Sequence, residues 1–175
     1  MRIIPRPQPG EYPAYAEMYM KLLPVDGLIL DHLKNNFHVV KDFINSLPTE
    51  RLCYRFEKDE WTIKQILVHI IDDERIFSYR AMSFARNEKR PMPGFDQDNY
   101  TLWSGANERD LENIFEEYGA IRQATIALFN GLPEESLTRM GTGSSIEHRA
   151  TVRALAYHIA GHEMHHINHI RERYL

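Results

Sequence analysis

Ala154-Leu155-Ala156-Tyr157-His158-Ile159-Ala160-Gly161-His162-Glu163-Met164-His165-His166-Ile167-Asn168-His169-Ile170, close to the end of the chain, carries an unbroken helical pattern. At about 100° per residue, with His162 set at zero, Val152, Ala156, Ile159, Ile167 and Ile170 fall between about +60° and +160°. That is an apolar stripe wide enough to face a core. His158, His165, His166 and His169 fall near −40°, −60°, +40° and −20°, so the five imidazoles share an arc about 100° wide beside that stripe. The pattern predicts a long helix that buries one face and lines its flank with histidines.

Imidazoles four residues apart stack on one helix face and can grip a single ion. The segment holds three such pairs: His158/His162, His162/His166 and His165/His169. His162/His166 lies nearest the apolar stripe and points most directly inward. His165 and His169 are expected near the surface or at the mouth of a pocket. Two side chains rarely hold a metal tightly, so a third ligand is needed. The candidate is His69, within the apolar run Ile66-Leu67-Val68-His69-Ile70-Ile71-Asp72-Asp73-Glu74. A buried imidazole there is costly without a partner, and a metal, a backbone carbonyl or a carboxylate would each supply one. Asp73, one turn beyond His69, is the best placed of the three acids to support a ligand, although Asp72, Asp73 and Glu74 also read as a solvated patch. His32, His38 and His148 read as ordinary histidines.

Outward from these two segments the chain reads as helices and punctuation. Residues 1–13 carry Pro5, Pro7, Pro9, Gly10 and Pro13 and predict an extended arm. A short helix is expected from Ala14 to Leu23, then a longer one capped by Asp26 and containing Leu28, Ile29, Leu33, Phe37, Val40 and Ile44. Thr62 with Gln65 three residues on forms a capping-box signature for a helix over 63–87. Another helix is expected from Glu108 to Phe129, and the histidine helix from Thr151 onward. The stretch 88–106 reads as the longest loop, rich in proline and glycine, and a loop of that length in a compact domain is often functional. Its segment 91–103 could cap a pocket or pack at a dimer interface. No segment alternates like a strand. Four long helices joined by modest loops predict an all-α four-helix bundle, with an extended N-terminal arm and a short extra N-terminal helix, as one domain over 1–175.

Composition narrows the function. The chain has 175 residues and a net charge of −4, with no basic stripe, which argues against nucleic acid as a partner. No run of about 18 apolar residues occurs, so no membrane span is expected. The start lacks the apolar run of a signal peptide, and Cys53 is the single cysteine. Together these point to a cytoplasmic protein without an internal disulfide. Cys53, in Leu52-Cys53-Tyr54, reads as a buried thiol.

Three segments carry a family resemblance: Trp61-Thr62-Ile63-Lys64-Gln65-Ile66-Leu67-Val68-His69 through Arg75, the loop Pro93-Gly94-Phe95-Asp96-Gln97-Asp98-Asn99-Tyr100, and Val152 through Leu175 with its His-x-x-His-His. Across nearly its whole length the chain resembles the DinB/YfiT-like family of metal-binding four-helix proteins, especially the DinB superfamily type 2 subgroup. The resemblance implies metal ligands His69, His162 and His166, the pair on the last helix being the one the helical wheel also selects. It further implies zinc, nickel or a similar divalent ion, an open coordination position, and a homodimer. Relatives that use a low-molecular-weight thiol suggest a thiol-dependent transferase or isomerase acting on a small molecule.

Two other readings stand beside it. His162-Glu163-Met164-His165-His166 matches His-Glu-x-x-His, in which the glutamate is the general base of a metal-dependent hydrolase. Glu163 would then be catalytic; its alternative is an ordinary salt-bridge partner. Only nine residues follow His166, so a downstream ligand of the protease kind is lacking. The remaining reading is a non-enzymatic metal-binding or stress-response protein.

Overall fold

A computed structural model describes residues 1–175. A 3-10 turn (Ala14–Ala16) leads into α1 (Glu17–Met20), followed by α2 (Ile29–Asn45), α3 (Ile63–Ala85), α4 (Gln97–Trp103), α5 (Leu111–Gly131) and α6 (Val152–Arg173). The long helices form a ring: α3 packs on α6 and α5, while α2 packs on α5 and α6. None is long and apolar enough to cross a membrane.

Local signals set the helix starts. Thr62 Oγ1 accepts from Gln65 N at 3.1 Å and Gln65 Oε1 accepts from Thr62 N at 3.0 Å, so the capping box is complete. Thr151 caps α6 by accepting from Ala154 N at 3.3 Å. Asp26 accepts from Leu28 N at 2.9 Å, just ahead of α2, and does not cap the helix itself. The N-terminal arm is docked: Ile4 is fully buried, its N–H bonds Gly27 O, and its carbonyl accepts from Tyr157 Oη at 2.8 Å.

Three expectations need correction. The stretch 88–106 contains α4, whose N-terminus is capped by Asp96 accepting from Asn99 N at 3.1 Å, an Asx signal that the surrounding prolines and glycine masked. The loop after α5 contains a two-stranded antiparallel ribbon, β1 (Met140–Thr142) with β2 (Arg149–Thr151), too short to show alternation. Cys53 is exposed, because Leu52 takes the inward position at this turn and only 5% of Leu52 remains exposed.

Gly161 fixes where α1 lies. A Cβ at this position would stand 2.6 Å from Tyr19 O, so only glycine lets the α1 backbone rest on α6. That contact brings Tyr19 edge-on to His158 and His162, at 5.1 and 5.6 Å between ring centroids.

Candidate metal centre

α3 and α6 run antiparallel, so ascending α3 from His69 to Asp73 means descending α6 from His166 to His158. His162 Nε2 lies 3.0 Å from His69 Nε2 and 3.1 Å from His166 Nε2. The three imidazoles form the one group of histidine, cysteine and acidic side chains close enough to share an ion, with donor atoms within 4.8 Å of one another. A tetrahedral ion with metal–nitrogen bonds of about 2.0–2.1 Å holds its nitrogens about 3.3–3.4 Å apart. The two spacings from His162 are a few tenths shorter and the third lies within 4.8 Å, a donor set that a transition-metal ion can draw together. Trp61 tilts over His69 at 4.7 Å and lies flat beyond His166 at 6.3 Å.

Electrostatics favour the ligand state. Burial pushes the His69 imidazole below its usual pKa, takes His162 down to about 3 with Asp73 pulling the other way, and takes His166 down to about 2. Imidazoles with such pKa values are neutral near pH 7, the form that donates a lone pair. Asp73 is 4% exposed, and its Oδ2 stands 3.4 Å from His162 Nδ1 and 3.4 Å from His158 Nε2. Burial opposes ionisation of this carboxyl, but the flanking imidazoles outweigh it and hold it below the usual carboxylate range. Asp73 therefore faces the back of His162 and directs Nε2 toward the centre. Of the three neighbouring acids, only Asp73 serves the site: Asp72 is half-buried near Arg75, and Glu74 is buried against Arg122.

Glu163 turns the other way. Its wheel angle, about +100°, falls inside the apolar stripe, and the side chain is fully buried toward the bundle axis. Its carboxylate accepts from Arg122 and from Tyr118 Oη. Arg122 on α5 also pairs with Glu74 on α3 at 2.9 Å and donates to Leu33 O on α2 at 2.5 Å. One guanidinium thus ties all four long helices together. Burial alone would lower the Arg122 pKa, but Glu163, Tyr118 and Glu74 raise it well above its usual value. In this fold Glu163 is a core ion-pair partner outside the imidazole cluster, the alternative the sequence offered beside the motif's general base.

Two hollows flank the ligands. On the His162 side a cavity of about 380 Å³ is lined by Asp73, His158 and several aromatic rings. His148, ordinary by sequence, reaches its rim and bonds Ser144 Oγ through Nδ1 at 2.7 Å. Arg80 also lines this cavity, and no sequence motif singled it out. On the His166 side a second hollow of about 300 Å³ is lined by His165, His169, Trp61 and Asp98, as expected for histidines at a mouth. The stretch 91–103 borders both: Phe95 and Gln97 line the first, Gln97 and Asp98 the second.

The chain has relatives among known proteins. Residues 32–170 match the family described as the DinB superfamily. An Oceanobacillus iheyensis protein named "Putative metal-dependent hydrolase OB0413" is 29% identical over 129 residues, spanning 73% of each chain. The solved structure of YfiT from Bacillus subtilis, described as a probable metal-dependent hydrolase with an unusual four-helix bundle topology, superposes with a TM-score of 0.74. That alignment covers 97% of this chain and 91% of YfiT at 15% identity, a likeness of fold.

Proposed function

This chain belongs to the DinB superfamily, and from that premise we propose that it is a metal-dependent hydrolase of a small molecule, with His69, His162 and His166 as the ligands of one zinc or nickel ion. The observation that carries this reading is the convergence of three neutral imidazoles, His69 and His162 buried and His166 half-buried, with His162 in the wall of a cavity sized for a metabolite. The relatives named for metal-dependent hydrolysis support the reaction class. When bound, the ion supplies Lewis acidity toward a water or a thiol.

The protein's own groups do the rest. Asp73 orients His162 through Nδ1. Glu163 pairs with Arg122 and Tyr118 through Oε2 and does not line the cavity, so the carboxylate–imidazole pair available there is Asp73 with His158. In this reading His158 takes up or delivers a proton, with Asp73 as its counter-charge, and Phe77 holds the ring in place by stacking at 3.7 Å and 9°. Tyr19 packs edge-on against His158 and His162 and shields those rings.

Elemental analysis of the purified, untagged protein tests the metal. About one zinc or nickel per chain, lost in His69→Ala, is expected; a native protein that stays metal-free after incubation with zinc would refute the reading. The loaded protein is then assayed on small esters and amides with and without a low-molecular-weight thiol. Turnover that is independent of thiol is expected. Turnover that requires thiol would reassign the protein to group transfer.

A further inference from the structure

The cavity beside His162 contains a cation without a counter-ion. Arg80 lies on α3, seven residues beyond Asp73, and is 8% exposed. Its Nη2 donates to Pro93 O at 2.8 Å, while its buried Nε has no hydrogen-bond partner. Its guanidinium carbon stands 4.9 Å from the Phe77 ring centroid. The other buried arginine, Arg122, is matched by two carboxylates, whereas no acidic side chain comes within ion-pair distance of Arg80. A buried guanidinium with unused donors is expensive unless something anionic completes it. Gly143 lies beside this group: a Cβ there would stand 3.9 Å from Nη1 and 2.9 Å from His148 O.

The rest of the lining describes what arrives. Phe77, Phe84, Phe95, Tyr15 and Tyr19 present rings to the cavity. Besides Arg80, the fully charged group lining it is Asp73, which would repel a dianion. One cation, a planar fork of donors and an aromatic wall suit a planar monoanion on an apolar body.

We propose that Arg80 is the anion-recognition residue of this cavity and that the molecule accepted is a small carboxylate with an apolar or aromatic body. The assignment rests on the reading of this cavity as the substrate site of the metal centre and adds the chemical class of that substrate. Arg80 grips the carboxylate, the rings bury the body, and the remainder of the molecule extends toward His158 and His162.

The test uses the full chain with phenylacetate, its neutral counterpart phenylacetamide, and inorganic phosphate, each titrated by ligand-observed NMR and calorimetry. Wild type is expected to bind phenylacetate at least about tenfold more tightly than the amide or phosphate. Arg80→Gln should lose at least about tenfold of that affinity, and Arg80→Lys, which keeps the charge without the fork, should fall between. Phenylacetate should raise the Tm of wild type but not of Arg80→Gln. The metal-free His166→Ala protein should still bind phenylacetate, which separates this assignment from the metal reading: loss of metal leaves it standing. Equal binding of acid and amide, equal binding of phosphate, or full affinity in Arg80→Gln would overturn it. So would loss of binding in His166→Ala, since the ion would then be the anion's partner. If Arg80→Gln does not fold, wild-type affinity in Arg80→Lys overturns the fork and reduced affinity supports it.

Discussion

At the scale of single residues, the site separates ligands from their supports. His166→Ala and His162→Ala are expected to remove most bound metal, whereas His169→Ala should leave it in place; metal content after dialysis checks this directly. Asp73→Asn keeps the size but loses the charge behind His162, so metal affinity should fall about 10–100-fold, read by competition with a chromophoric chelator. The Arg122 cluster gives the opposite signature. Glu163→Gln should retain metal, because its carboxylate points to Arg122 and Tyr118. Arg122→Met leaves two buried carboxylates facing each other and should cost about 3–5 kcal/mol in denaturant unfolding. Of the three clustered imidazoles, His162 and His166 were legible in the sequence from their helical spacing, and His69 from its place as a polar residue in an apolar run. Arg80 was not, because its meaning depends on Pro93, Phe95 and Gly143, which reach it from other parts of the chain. Glu163 was legible as a position, since its wheel angle lay in the core stripe, but the motif's chemistry pointed elsewhere.

At the scale of elements, the helices that hold ligands are also the best specified. The Thr62 box and the Thr151 cap start α3 and α6, so the register of both ligand-bearing helices is pinned from their first turns. Thr62→Ala should cost about 1 kcal/mol, measurable as a shifted urea midpoint. Gly161→Ala places a methyl group against the α1 backbone and should cost about 1–3 kcal/mol. It should also loosen Tyr19 from the imidazoles, visible as faster hydrogen exchange across residues 14–23. A variant as stable and as protected as wild type would contradict the close approach of α1 to α6. The elements the sequence concealed were the short ones: α4 behind prolines, and β1 with β2, whose three residues each are too few for a periodicity. Tertiary partners, above all Met92 N bonding Thr142 O at 2.9 Å, hold that region in shape.

At the scale of the whole molecule, burying histidines makes the fold sensitive to acid. His162 and His166 take protons in the folded chain only near pH 3 and 2, well below the usual 6.5. Between those limits the unfolded chain binds more protons than the folded one, so stability falls as pH drops below about 6.5. Asp73 adds to the loss below about pH 4, since its folded pKa is depressed and protonation there favours the unfolded chain. The metal-free protein should therefore have a lower urea midpoint at pH 5.0 than at pH 7.5 at constant ionic strength. Equal midpoints would mean that the imidazoles are hydrated. The bundle itself was legible from four amphipathic segments. The cavity was not, because Tyr15, Phe95, Ser144 and His148 come to it from the N-terminal region and two distant loops, with no local pattern to announce them.

The two jobs of this site fall on parts of the chain with different freedom to vary. The three clustered imidazoles sit on α3 and α6, where a shift of one residue would spoil both the core and the cluster. Much of the cavity wall comes from the segment before α1 and the connections after α3 and β1, which answer to fewer neighbours. On the proposed reading, the compound accepted can therefore change through substitutions in those segments while the three imidazoles stay as they are.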